Sequence, residues 1–239
     1  MINPIMTETI LPHMKKLLYL VFFALCSCNS NNKSNSIDPA ELNGLQIDSE
    51  IIKVISKAVK KDVEKNAVIR YKASNASDQV FEPYDSLVSG VKFKFVNEKT
   101  AYTIIDDHFD KVKKSNNYLF LTNLDFDDSF NTYYDIVIAP VSDQLELIKF
   151  VGTEPVNYGL SNEDVMEWFR RKQTEFDFDI IVADLSRIEA KLKSDPKSYK
   201  KLGKEIYEFC PDVIDQGHSD MDELVEYLKT SKHMWFWWD

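Results

Sequence analysis

The chain has 239 residues, a formal net charge of −10 and 13% aromatic residues. A balance this acidic repels phosphate backbones, so nucleic acid is not an expected partner. The aromatic content argues for a folded body rather than disorder, and about 200 residues behind a leader suffice for one sizeable core or two small ones.

The first element is Met14-Lys15-Lys16, then the uncharged run Leu17 to Leu25, then Cys26-Ser27-Cys28. Two lysines, a short apolar run and a cysteine after a small residue have the layout of a bacterial secretory signal. The cysteine makes it resemble a lipoprotein signal. A bilayer span needs about 20 apolar residues, so the run reads as a cleaved segment rather than a membrane helix. Leu25 stands three residues before Cys28 and Ser27 one before it, which resembles a lipobox; Cys26 in the middle departs from it. Cys28 is therefore the expected lipid-attachment residue, and residues 1–28 the signal segment. Met14 is the expected start, with Met1 to His13 as an overcalled leader. An ordinary secretory signal with incidental cysteines is the alternative. The expected location is the cell envelope, exported and lipid-anchored, with the membrane as a partner through Cys28. Anionic headgroups repel an acidic chain, so the lipid must do the anchoring. With Cys26 removed and Cys28 consumed as a thioether, Cys210 is left without a disulfide partner.

Residues 29–40 begin with NSNNKSNS and read as a flexible tether. An N-terminal α+β region is expected over residues 41–152. Ser49 to Glu64 carries Ile51, Ile52, Ile55 and Val59 at helical spacing, with Ser49 as N-cap. Ala67 to Ala73 alternates as a strand, and so does Val91 to Val96, with Phe93 and Phe95 on one face. Glu98 to Lys114 returns to helical spacing. Tyr118 to Thr122 and Tyr134 to Ala139 are apolar runs that predict buried strands, with an acidic loop from Asn123 to Thr132 between them. Ser142 is the expected cap of a helix running to Phe150.

Thr153 to Gly159, with Pro155 and Gly159, is the expected internal boundary, followed by a C-terminal α+β domain over residues 153–239. Ser161 to Asp164 predicts a capping box for a helix that buries Val165, Trp168 and Phe169. Arg170-Arg171-Lys172 reads as its solvated end. Phe178 to Ala183 and Arg187 to Leu192 are predicted strands. Ser198 to Cys210 is a predicted helix ended by Pro211, and Ser219 with Asp222 caps another ending near Leu228. The chain closes on an aromatic strand, His233 to Asp239, for which burial of both faces is expected. Helices and strands mix without regular βα alternation, so the expected class is α+β, a mixed sheet with packed helices.

Motifs that carry chemistry are sparse. Only six glycines occur, and none builds a phosphate loop or a dinucleotide turn. No nucleophile elbow or paired-histidine zinc motif is present, and no cofactor is expected. Asp125, Asp127 and Asp128 form a cation candidate, since alternating carboxylates suit a hard ion; a solvated loop is the other reading. Asp212, Asp215 and His218 crowd into the segment PDVIDQGHSDMD. A histidine among carboxylates suits general acid–base work, but the same segment also reads as a helix–turn–helix joint with capping residues. Cys210 with His218 as base is a nucleophile candidate, although Cys210 falls on a buried helical face.

The run Tyr207-Glu208-Phe209-Cys210-Pro211-Asp212, the triplet Asp215-Gln216-Gly217 and the terminal Trp237-Trp238-Asp239 resemble a bacterial family known only as Domain of Unknown Function 4253. The resemblance covers Ser161 to Asp239. It implies an α+β domain and no established activity. Ser186-Arg187 stands where that family tends to carry Asp-Trp, and His218-Ser219 where it tends to carry small residues. Two function classes follow. One is a membrane-anchored, non-enzymatic binding or immunity-type module with a protein partner. The other is an envelope hydrolase or metal-binding protein using the joint Asp212 to Asp222.

Overall fold

The computed structural model describes residues 47–65, 68–73, 81–88, 90–141 and 143–238. Cys28, the leader, the tether and Ser142 lie outside the described residues. Among the described residues nine strands and six α-helices occur, in the expected order except for two strands, Glu64–Lys65 and Phe81–Val88, that the sequence reading lacks. In chain order the helices are α1 (Ser49–Val59), α2 (Glu98–Lys113), α3 (Gln144–Val151), α4 (Asn162–Gln173), α5 (Tyr199–Phe209) and α6 (Met221–Ser231). The strands are β1 (Glu64–Lys65), β2 (Val68–Ala73), β3 (Phe81–Val88), β4 (Val91–Asn97), β5 (Tyr118–Phe126), β6 (Thr132–Ala139), β7 (Phe178–Ala183), β8 (Arg187–Leu192) and β9 (His233–Trp237).

Seven strands form one sheet in the order β1-β4-β6-β5-β7-β8-β9, while β2 and β3 pair separately. Neighbours are antiparallel except β5 and β7, which run parallel and meet at Leu121 and Val182. This mixed sheet with packed helices is the expected α+β class. Residues 153–159, expected as a boundary, connect two parts of that one sheet, and a single apolar cluster reaches from Ile51 to Trp238.

Several element ends differ from the sequence reading. Helix α1 starts one residue earlier, because the Asp48 carboxylate, not Ser49, accepts the Glu50 amide at 2.9 Å. It stops at Val59, where Lys60 turns left-handed, and Glu64 then pairs with Lys92 across to β4. Helix α3 is capped by Asp143. Helix α6 is capped by Asp220, whose carboxylate accepts the Glu223 amide at 2.9 Å, while Ser219 donates its amide and hydroxyl to Glu223. The Ser161–Asp164 capping box forms as expected. Lys172 is not solvated: its ammonium is buried above Trp168 and donates to Glu175 at 2.7 Å and Glu205 at 2.8 Å.

The acidic loop is shorter than expected, since β5 continues to Phe126. Two irregularities flank β6. The register shifts between Phe93 and Val96 on one side and between Thr122 and Asp125 on the other. Phe95 and Asn123 take left-handed backbone there. Buried Asp135 serves both bulges, accepting the Phe95 amide at 2.9 Å and the Asn123 side-chain amide at 2.9 Å.

The terminal strand β9 is an edge strand, not a central one. Met234, Phe236 and Trp238 are buried on one face, whereas His233, Trp235 and Trp237 are only partly buried on the other. The buried face meets Trp168 and Phe169 of α4 and Phe209 of α5 in a continuous aromatic cluster. Burial of both faces, as expected from composition, would have required a further element over Trp235 and Trp237.

Candidate functional site

The acidic joint folds as a turn between two helices. Helix α5 ends at Phe209, and Val213 to Gly217 winds into one π-helical turn. Buried Asp212 accepts from Gln216 at 2.9 Å, one turn on, and also meets the Tyr158 hydroxyl. Asp215 accepts from Tyr207 at 3.2 Å, back on α5. The His218 ring lies against Tyr227 with centroids 5.0 Å apart, and burial lowers its pKa. No hydrogen bond joins His218 to Asp215. Gly217 leaves room for the Trp235 ring, which a Cβ would meet at 3.2 Å.

Cys210 behaves as a core residue. Its thiol is buried, donates to the Trp237 carbonyl at 3.0 Å and is pushed up to about 12 by burial, so it holds its proton.

The three aspartates of the cation candidate do different things. Asp125 sits exposed at the end of β5 and accepts the neighbouring Phe126 amide. Asp127 ties the hairpin, accepting from the amides of Ser129 and Asn131, the Asn131 side chain and the Tyr133 hydroxyl. These bonds hold its carboxyl below the usual range. Asp128 is exposed. Among the described residues no group of three or more His, Cys, Asp or Glu side chains is placed to hold a metal ion.

A denser polar cluster lies elsewhere, on the sheet face that α2 covers. Alternation along β8 sends Ile188 and Ala190 into the aromatic core and Arg187, Glu189 and Lys191 to the opposite face. Helix α2 presents its apolar stripe, Ile104, Ile105, Phe109 and Val112, to the core. A second stripe, at i, i+4, i+8 and i+11, faces β7, β8 and the residues after β8. Tyr102 donates to Glu189, Lys191 donates to Asp106 at 2.8 Å, Lys193 stands 3.6 Å from Asp110, and Lys113 donates to Asp179. The far end of this row opens into a cleft of about 470 Å³ lined by Lys113, Lys193, Asp110, Asp177 and Asp179.

At the near end the charges are buried. Glu189 is 5% exposed and has both oxygens engaged, one by Tyr102 and one by His233, whose Nδ1 lies 3.1 Å away. Burial alone would raise the Glu189 pKa; the His233 contact and the Arg187 charge outweigh it and hold the carboxyl below its ordinary value. Arg187 places an Nη 3.9 Å from Glu189, and its guanidinium stacks 5.5 Å above the Tyr134 ring. Tyr134 meets Tyr102 edge-on. Burial raises the pKa of both phenols, so they stay neutral. Across the ladder, Trp237 stands opposite Arg187 and Trp235 opposite Glu189.

None of Tyr102, Tyr134, Glu189 or His233 stands out as a site residue in the sequence. The available signal was the alternation of β8, which sets an arginine and a glutamate two residues apart on one face. What covers that face is not written locally.

Residues 135–239 match the family described as Domain of unknown function (DUF4253). No curated protein and no solved structure matches the chain. The resemblance seen in the C-terminal motifs therefore extends further back than Ser161, to Asp135 within β6. The DUF4253 region supplies Asp135, Arg187, Glu189 and His233, while Tyr102 comes from outside it. Strand β5 also lies outside the match, yet it sits between β7, which lies inside, and β6, which lies inside from Asp135 onward.

Proposed function

We propose that this protein is exported, anchored to the cell envelope through a lipid on Cys28, and acts there as a non-enzymatic binding module of the immunity type. The anchoring rests on Met14 to Cys28 with the polar tether behind it. Binding is supported by one observation above the rest. Edge strand β9 holds Trp235 and Trp237 partly exposed on one face, with centroids 6.3 Å apart. Tryptophans dominate the energetics of protein interfaces, and β9 is the last strand of its sheet. The net charge of −10 steers a basic partner toward the surface.

Fractionation of cells carrying Cys28→Ser tests the anchor: the variant should leave the membrane fraction. Retention with unchanged mass would overturn it. For the binding face, a photo-crosslinking residue at Trp235 in the membrane-bound full chain should trap a basic protein, and high salt should suppress the adduct. The same yield from a crosslinker at exposed Lys53, on α1, would sink the assignment of this face.

A further inference from the structure

Eight acidic residues and no lysine or arginine fall between Glu205 and Leu228, so this stretch carries most of the chain's net charge of −10. The fold lays its middle part, the end of α5 and the π-helical turn, against β9. Trp238 Nε1 donates to the Phe209 carbonyl at 3.3 Å, the Cys210 thiol donates to the Trp237 carbonyl, and Gly217 lies against the Trp235 ring. Some of the carboxylates are engaged within the fold: Glu205 meets Lys172 and Lys201, while Asp220 and Glu223 bond at the start of α6. Glu208, Asp215 and Asp222 are different. All three are exposed, and none meets a lysine or arginine among the described residues. Asp215 accepts from the Tyr207 phenol, a neutral donor, at 3.2 Å. Glu208 sits in the last turn of α5, where the helix dipole disfavours a negative charge. On the β8 side of the tryptophans stands the Arg187 guanidinium, opposite Trp237 in the ladder.

We infer that a basic segment of a partner protein docks on this corner from the side of the joint, with lysine or arginine side chains against Glu208, Asp215 and Asp222 and its apolar contact on Trp235 and Trp237. The inference rests on reading the Trp235–Trp237 face as a protein-binding face, and it adds where the footprint lies and which residues select the partner. Charge complementarity sets the direction of approach: Arg187 repels a cation on one flank of the tryptophans, and the uncompensated carboxylates attract it on the other. An aromatic centre beside a charged, solvent-exposed rim is the common anatomy of a protein interface, with the rings supplying contact area and the rim choosing the partner. A guanidinium from the partner can also stack on an indole face. The same rim repels nucleic acid and anionic lipid.

The test uses the purified full chain in mild detergent, a photo-crosslinking residue at Trp235 and a capped oligo-arginine peptide as probe. The peptide should be trapped saturably. Neutralising the joint with Glu208→Gln, Asp215→Asn and Asp222→Asn together should weaken binding about tenfold, the scale of three exposed charge pairs. A second set, Asp107→Asn, Asp128→Asn and Glu146→Gln, removes the same charge from exposed positions elsewhere and should change affinity less than about twofold. Equal weakening by the two sets would show that net charge alone draws the peptide, and no weakening by the first set would show that the joint is not in the footprint. Either result overturns the inference and leaves the tryptophan face standing. No trapping at Trp235 in the unneutralised chain sinks the face, and this inference with it. Should the triple joint variant fail to fold, Glu208→Gln against Asp107→Asn decides, with about a twofold loss expected from the first alone.

Discussion

The Glu189 carboxylate lies 3.1 Å from Nδ1 of His233, on the strand next to it and 44 residues later in the chain. The contact crosses the last ladder of the sheet and places a charge in a site that α2 closes from above with Tyr102. A carboxylate so enclosed is ionised only because its neighbours stabilise the charge.

That arrangement predicts an acid-sensitive fold. Glu189 titrates below its ordinary value in the folded state. Its contribution to stability is present above the unfolded carboxyl pKa, about 4.3, and is lost as pH falls through the folded value. Glu189→Gln should flatten this part of the stability profile between about pH 5 and pH 2. At neutral pH it should cost about 3 kcal/mol, since Arg187 keeps a buried charge without its counter-ion. Urea denaturation across pH measures both, and an unchanged acid limb in the variant would refute the linkage.

Asp135 is expected to be the most sensitive polar residue of the sheet. One carboxylate holds the bulge at Phe95 and the bulge at Asn123. Asp135→Ala should cost about 3 kcal/mol, the scale of two hydrogen bonds to a charged acceptor with a buried amide left behind. Asp128→Ala, on an exposed turn, serves as the control and should change the midpoint little.

The family-matching region should not fold alone. Without β5, strand β6 has lost the partner that links it to β7. Residues 135–239 expressed in isolation should show no cooperative thermal transition by circular dichroism. Extension back to Val91, which restores β4, α2 and β5, should bring one back. A cooperative melt of the short piece would show that β6 and β7 can re-pair directly.

Cys210 should resist modification. Its thiol is buried, protonated and bonded to Trp237. Alkylation read on the Cys210 peptide by mass spectrometry should be negligible in the native protein and rapid in denaturant. Fast native labelling would revive it as a nucleophile.

The sequence by itself determined most of the elements, and for a local reason. Periodicity of 3.6 or 2 reports which residues share a face, and capping chemistry marks where helices start. Ser161 with Asp164, the stripe from Ala101 to Val112 and the alternation of Arg187 to Leu192 were all legible in this way. So were the C-terminal motifs that the DUF4253 match bears out. Where a cap moved, as from Ser49 to Asp48, the competing residue was a neighbour of equal capping power. Tertiary structure decided what covers each face. Alternation put Arg187 and Glu189 on the face away from the aromatic core, and such a face reads as solvated until α2 is seen above it. Tyr102, Tyr134, Glu189 and His233 come from one helix and three strands, so no spacing along the chain announces them. The crowded Asp212–His218 segment announced itself by spacing, and the fold spends it on a π-helical turn between α5 and α6. Sequence proximity sets which groups can meet cheaply; only the order of strands in the sheet sets which ones are enclosed together, and enclosure is what turns a pair of charges into a site.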